Sequence, residues 1–465
     1  MIKIYLDWNV MAQMKDGHLN DLLEILGNKD KFLIPYSTSH IGDILSSYAD
    51  NEEQKTRIDN DLNFISSLTD NVYLANNGKK VFMDKKHPKE LYQQRLNEKD
   101  LMKDYSLDSL EAILNENELT KGIGKTLISL IKSIPIEENF KKAFDNPESS
   151  EYLDKMFPGL KENLTMEGFF KCFGKMYNNL NNKEDYKILR EVTQNGLGIN
   201  RDKIFDNENP YSIIDEAQQK FGVDVNKFID NKKHAPEWFN KISNEYIQLD
   251  MYGYQEDKVI VRENKRIETF RNTTEDAFHS AFASTCNFYV INDKKSYKKT
   301  KQVYDRLQIN TVVFKPNEFI DYYNKYLDIK NTADYFQLAV KLIKSDNFFE
   351  SKDNIGNQRI YLFPFFLFDF FNKIVVAESE NDENPIFLLS KFSPTNGLGT
   401  TFKEIEILVN MLIEHLGLDN DKKGVFSANE FNDGTWDGRT WDVNEIQFRL
   451  LALNGYVQLY FNILN

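Results

Sequence analysis

The stretch Ile2-Lys3-Ile4-Tyr5-Leu6-Asp7-Trp8-Asn9-Val10 decides how the chain is read. Its apolar positions alternate and then run together, and β-branched and aromatic residues dominate, which predicts a buried strand. The strand ends in an acid, Asp7, with Asn9 two residues further on. Open α/β sheets bind their ligands beyond the carboxyl ends of the strands. There Asp7 either holds a cation or caps the helix that follows, and this stretch alone leaves both readings open.

Working outward, His18 to Leu26 has helical spacing and Lys31 to Pro35 reads as a second strand. Ser37 to Ser39 offer capping hydroxyls to a helix that carries Asp43 on its second turn. A helix over Glu52 to Leu68 and a strand over Asn71 to Ala75 complete this α/β run. From about residue 76 to 265 charged helical stretches alternate with turn residues, among them Lys89 to Lys103, Ser109 to Leu114, Lys125 to Ile134, Met166 to Leu180 and Glu237 to Leu249. Val259 to Val261 is a weak strand signal. This predicts a mainly helical insertion. Lys232 and Lys233 read as solvated surface, and Phe169, Phe170 and Phe173 as core.

The α/β pattern returns at Thr273-Thr274-Glu275-Asp276, where the threonines are expected to cap a helix and the acids to fill its first turn. A strand, Asn287 to Ile291, then runs into Asn292-Asp293-Lys294-Lys295, followed by a helix to Leu307, the strand Thr311 to Phe314 and a helix opened by Pro316. Beyond about residue 328 the pattern is α+β. Arg359 to Phe371 is aromatic-rich, and Thr401-Phe402-Lys403-Glu404 has the form of a capping box opening a helix to about Leu416. Glu445 to Leu464 alternates as strands do, with a helix as the alternative.

The chain has 465 residues, which suggests about three domains. Hydrophobic residues make up 41%, with 35 Phe and 23 Tyr, enough for substantial cores. No apolar run reaches the roughly 18 residues of a membrane span. The first strand follows the N-terminus directly, which does not fit a signal peptide. The two cysteines, Cys172 and Cys286, lie far apart and fit a reduced compartment, expected to be the cytoplasm. Without CxxC or HExxH, and with scattered histidines, any metal is expected on carboxylates, which favours Mg2+ or Mn2+ over zinc. The formal charge of −14 counts against broad electrostatic binding of nucleic acid, so such a role must rest on a site.

Four acids sit at strand ends or on adjoining helices: Asp7, Asp43, Asp276 and Asp293. Converging carboxylates repel one another, and a fold tolerates this mainly when a divalent cation neutralises them. Such a cation polarises a phosphodiester and lowers the pKa of a bound water.

With these contexts in view, the chain resembles the PIN-domain nucleases. Tyr5-Leu6-Asp7-Trp8-Asn9-Val10 is similar to the family's first motif, Thr274-Glu275-Asp276-Ala277-Phe278-His279-Ser280-Ala281 to its third, and Tyr289-Val290-Ile291-Asn292-Asp293 to its fourth. Ser39 to Ile44 looks like the second, with Asp43 where glutamate is usual. The resemblance implies a PIN-like, parallel-sheet, three-layer α/β domain formed by residues 1–75 and 266–327. Residues 76–265 form the helical insertion, far longer than the family usually shows, and 328–465 a C-terminal α+β accessory domain outside the resemblance.

It further implies a Mg2+- or Mn2+-dependent nuclease acting on RNA or single-stranded DNA. Asp7, Asp276 and Asp293 would bind the metal, Asp43 would bind it or orient its water, and Asn9 and Asn292 would hold the carboxylates or touch phosphate. Lys294 and Lys295 either meet phosphate or form a solvated turn, and His40 and His279 either assist catalysis or pack. A toxin or defence effector is one biological setting, and the accessory regions leave room for a homo-oligomer or a regulatory protein partner. No membrane partner is expected. The rival expectation is a catalytically weak PIN-like scaffold serving as a protein-binding or sensing module. Asn396 to Thr400 reads as a tight turn more readily than as a phosphate loop. Trp436-Asp437-Gly438-Arg439-Thr440-Trp441-Asp442 is either a ligand loop or a loop pinned by its tryptophans.

Overall fold

A computed structural model describes residues 1–46, 51–101, 144–147, 190–191, 193–195, 197–221, 235–256, 270–328, 332–345, 347–353, 356–378, 385–432, 435–453 and 456–463, with scattered positions from 150 to 172. The expected helices at Ser109 to Leu114 and Lys125 to Ile134, the strand at Val259 to Val261, Lys232, Lys233, Phe169, Phe170, Phe173 and most of Met166 to Leu180 lie outside the described residues. The chain forms two compact units, one of residues 1–35, 283–292 and 308–465, the other of 36–282 and 293–307.

In the first unit, β1 (Ile2–Leu6), β2 (Phe32–Leu33), β6 (Phe288–Val290) and β7 (Val312–Phe314) form a parallel sheet in the order β2-β1-β6-β7. All five residues of β1 are buried, as a central parallel strand requires. Two short helices, α1 (Trp8–Lys15) and α2 (Asn20–Leu26), lead from β1 to β2. The chain thus goes from β1 to one side of the sheet and resumes on the other at β6. Ile4, Tyr5 and Leu6 stand level with Phe288, Tyr289 and Val290.

The same unit holds a seven-stranded antiparallel sheet. Its strands are β8 (Phe349–Asp353), β9 (Gly356–Leu367), β10 (Phe371–Glu378), β11 (Ile386–Ser390), β14 (Arg439–Val443), β15 (Ile446–Leu453) and β16 (Tyr456–Ile463), ordered β14-β15-β16-β11-β10-β9-β8. Glu445 to Leu464 is therefore a pair of strands. Alternate residues Tyr361, Phe363, Phe365 and Leu367 of β9 face a core shared with Ile405, Leu408 and Leu412 of the helix Thr401–Leu416. The expected capping box is not what Glu404 makes. It is buried, with Oε1 3.5 Å from Lys391 Nζ and 3.6 Å from Lys3 Nζ. Most of Trp436 to Asp442, expected as a loop, is strand: β12 (Phe431–Asn432) pairs antiparallel with β13 (Thr435–Trp436), and only Asp437 and Gly438 separate β13 from β14. Trp441 and Trp436 are buried, Gly438 has φ +83°, and a Cβ there would come within 2.1 Å of the Leu450 carbonyl. Arg439 faces Asp419 at 2.9 Å and Glu430 at 2.6 Å.

The second unit contains a three-stranded sheet, β3 (Tyr36–Ser37), β4 (Val72–Asn76) and β5 (Val81–Lys85), in that order. β5 lies within the stretch expected to be mainly helical, where no strand was expected at these residues. Here too are α3 (Thr38–Ser46), α4 (Glu52–Thr69), α5 (Pro88–Leu101), α6 (Arg201–Ile204), α7 (Pro210–Phe221), α8 (Glu237–Met251), α9 (Phe270–Ala283) and α10 (Lys294–Leu307). α9 begins upstream of the threonines expected to cap it, so Asp276 lies on its second turn. α10 holds the insertion along its length. Lys298 pairs with Asp206, Lys299 with Asp250 at 2.8 Å, and Arg306 forks onto Asp215 at 2.8 and 2.9 Å. No helix among the described residues is long and apolar enough to cross a membrane.

Candidate active site

Asp7 occupies the N-cap position of α1 with extended backbone angles, yet its side chain makes no capping hydrogen bond. Its carbonyl instead accepts from the N–H groups of Val10 and Met11, and its own N–H donates to the Val290 carbonyl at 2.9 Å. The residue is buried, 7% exposed. Asp7 follows β1 by one residue and Asn292 follows β6 by two, so both lie at the carboxyl ends of the two central strands. The order of the sheet reverses between these strands, which is where α/β folds place ligands.

A side chain that escaped sequence reasoning joins these ends. Asn292 Nδ2 donates to Gln13 Oε1 at 3.0 Å, and Gln13 Nε2 donates to Asn9 Oδ1 at 3.3 Å. The available signal was local: Gln13 stands four residues after Asn9, one helical turn along the same face.

Asp43, Asp276 and Asp293 belong to the second unit. Ser37 Oγ accepts from the Ser39 N–H at the start of α3, the expected cap, and this sets Asp43 on the helix. Asp43 Oδ2 lies 3.0 Å from His279 Nε2. An ionised carboxylate can only accept, so the imidazole donates. His279 is fully buried on α9 and meets the His40 ring edge-on, with centroids 4.7 Å apart. His40 is fixed in turn, its Nδ1 accepting the Ser37 N–H at 2.9 Å.

Glu275, read only as a first-turn acid, lies against the same helix. A Cβ on Gly42 would come within 2.3 Å of Glu275 Oε1, so glycine is what admits this carboxylate beside Asp43. Arg95 Nη1 stands 3.6 Å from it and also donates to the Thr38 carbonyl.

Ser296 joins the remaining two acids. Its N–H donates to Asp293 Oδ1 at 2.7 Å and its hydroxyl donates to Asp276 Oδ2 at 3.1 Å. Asp293 Oδ1 also accepts from the Lys295 N–H at 2.9 Å, so Asp293 caps α10. Lys295 Nζ donates to the Glu256 carbonyl at 2.8 Å. The structure thus links Asp43 to His279 and Asp276 to Asp293, and places Asp7, Asn9 and Asn292 together in the first unit.

Carboxylate and amide oxygens are the donor type that Mg2+ and Mn2+ take. Among the described residues, no group of three or more His, Cys, Asp or Glu side chains is arranged to hold a metal ion. The fit to such an ion is therefore one of donor chemistry. Compared with protein-family models, curated proteins and solved structures, the chain matches none.

Proposed function

We propose that the protein is a Mg2+- or Mn2+-dependent nuclease that hydrolyses phosphodiester bonds of RNA or single-stranded DNA. The observation that carries this reading is Asp7: a buried acid at the reversal point of a parallel sheet, whose carboxylate is not spent on capping α1. Asp7, Asp43, Asp276 and Asp293 would hold the ion, which when bound supplies charge to a phosphodiester and acidity to a water.

The chain's own residues have definable tasks in this reading. His279 holds Asp43 in one orientation, and the Ser296 hydroxyl does the same for Asp276. Asn9 and Asn292 offer neutral polar groups at the strand ends, suited to a phosphate oxygen. Such contacts position a backbone without reading its bases.

The test is cleavage of single-stranded RNA and DNA with Mn2+, comparing wild type with Asp7→Asn and Asp293→Asn. Losing a charged group that serves the reaction is worth several kcal/mol, so each variant is expected to lose about 100-fold or more. Equal rates in all three remove the enzyme assignment. The scaffold reading draws on one fact, that Asp43, Asp276 and Asp293 already have protein hydrogen-bond donors. Thermal melting separates the two: an ion that binds only the folded protein raises the melting temperature, and a scaffold without a site gives no shift with Mn2+.

A further inference from the structure

The row Asn292, Gln13, Asn9 runs across the carboxyl ends of β6 and β1 and has a direction. An amide group donates through its nitrogen and accepts through its oxygen. Asn292 donates to Gln13 and Gln13 donates to Asn9, so the oxygen of Asn9 is taken and its NH2 group is the donor end of the row. All three side chains are half-buried, and all three are neutral.

We infer that Gln13 is a positioning residue. It sets the rotation of the Asn9 side chain so that the Asn9 Nδ2 hydrogens face a phosphate oxygen of a single-stranded nucleic acid. The inference rests on the nuclease reading and deepens it, naming how the strand ends grip the substrate backbone. Alone, an asparagine on the first turn of a helix exchanges its amide ends by a half-turn of its terminal torsion. An acceptor presented to a phosphate would repel it. Gln13 removes that ambiguity from one side, and Asn292 fixes Gln13 from the other.

The chemistry suits this protein. A chain of formal charge −14 gains little from a broad cationic surface. Neutral amide donors bind a phosphate without neutralising it, so they release no counterions and leave the salt dependence of binding unchanged. That signature separates Asn9 and Gln13 from lysines or arginines on the same path.

The experiment measures the dissociation constant of a fluorescent, mixed-sequence oligonucleotide, as RNA and as DNA, in EDTA so that nothing is cleaved. The proteins are wild type, Asn9→Ala, Gln13→Met and the double variant. Methionine keeps the length of glutamine and its helix propensity while removing both hydrogen bonds. Each single variant is expected to weaken binding about tenfold, the worth of roughly one hydrogen bond to a charged group. The double variant is expected to be no weaker than Asn9→Ala, because Gln13 acts through Asn9, and the slope of affinity against salt is expected to stay that of wild type.

Gln13→Met binding as wild type does, or the two losses multiplying in the double variant, overturns the inference and leaves the nuclease reading standing. Wild type that binds neither oligonucleotide overturns the inference, and the nuclease reading then stands or falls on the Mn2+ cleavage assay. Melting curves in EDTA identify any variant that fails to fold, and Gln13→Ala then takes the place of Gln13→Met with the same expected outcome.

Discussion

At the scale of single residues, His279 shows how one buried donor governs an acid. Asp43 is the shorter acid where the resembled family usually has glutamate, and its Oδ2 accepts from an imidazole fully enclosed on α9. In the nuclease reading, His279→Leu is expected to weaken Mn2+ binding about 10- to 100-fold, the usual cost of losing a group that orients a ligand. His279→Gln, whose amide reaches a similar point and still donates, should recover most of it. Direct titration of Mn2+, with melting in EDTA to check folding, reads this without recourse to activity, and equal losses in both variants would assign His279 to packing alone. Asp43 was legible in the sequence because serines before a helix are a local signal. Its partner was not, since nothing local says which buried histidine reaches it. Gln13 was similarly hidden: its spacing from Asn9 is visible, but its bond to Asn292 exists only once β1 pairs with β6.

At the scale of elements, periodicity told strands from helices well wherever the element was bound by its own pattern. β1, β6, α4 and the paired strands β15 and β16 follow it. The failures came where distant groups outbid a local rule. Thr273 and Thr274 look like caps, yet α9 starts upstream of them, so its first turn lies elsewhere. Thr401 to Glu404 has capping-box spacing, yet Glu404 serves two buried lysines.

β14 shows the same principle. Its first residue, Arg439, is buried with a fork to Asp419 and Glu430 and a further hydrogen bond to the Gly424 carbonyl. Arg439→Met leaves a buried carboxylate at Asp419 with its main partner gone, so the expected cost is about 3–5 kcal/mol in urea denaturation. Arg439→Lys should recover little, because an ammonium cannot reproduce the fork. A loss below about 1 kcal/mol in Arg439→Met would show that this strand and the turn before it are held by their tryptophans instead.

At the scale of the molecule, the first unit carries a buried charge cluster whose balance depends on pH. Burial by itself would raise the Glu404 carboxyl, but Lys3 and then Lys391 outweigh it and hold it at about 2. Burial pushes the Lys391 ammonium down to about 8. As the pH falls, the unfolded chain takes up a proton at the ordinary glutamate value near 4.5 while folded Glu404 resists it. The stabilisation is therefore complete above that value and is withdrawn as the pH approaches about 2. It amounts to on the order of 3 kcal/mol. Denaturation midpoints from pH 7 to 2.5 should show this loss in wild type. Glu404→Gln should start less stable at pH 7 and lack that part of the acid dependence, and identical curves for the two proteins would exclude the role.

Lys31 repeats the arrangement, with its Nζ 2.5 Å from the Leu327 carbonyl and 3.0 Å from Asp369 Oδ1. Ammonium groups from the beginning of the chain are thus sheltered by acceptors encoded some three to four hundred codons later. A gene that lost its last third would strip these cations of their acceptors, so the antiparallel sheet is not an independent cassette and is inherited together with the parallel sheet.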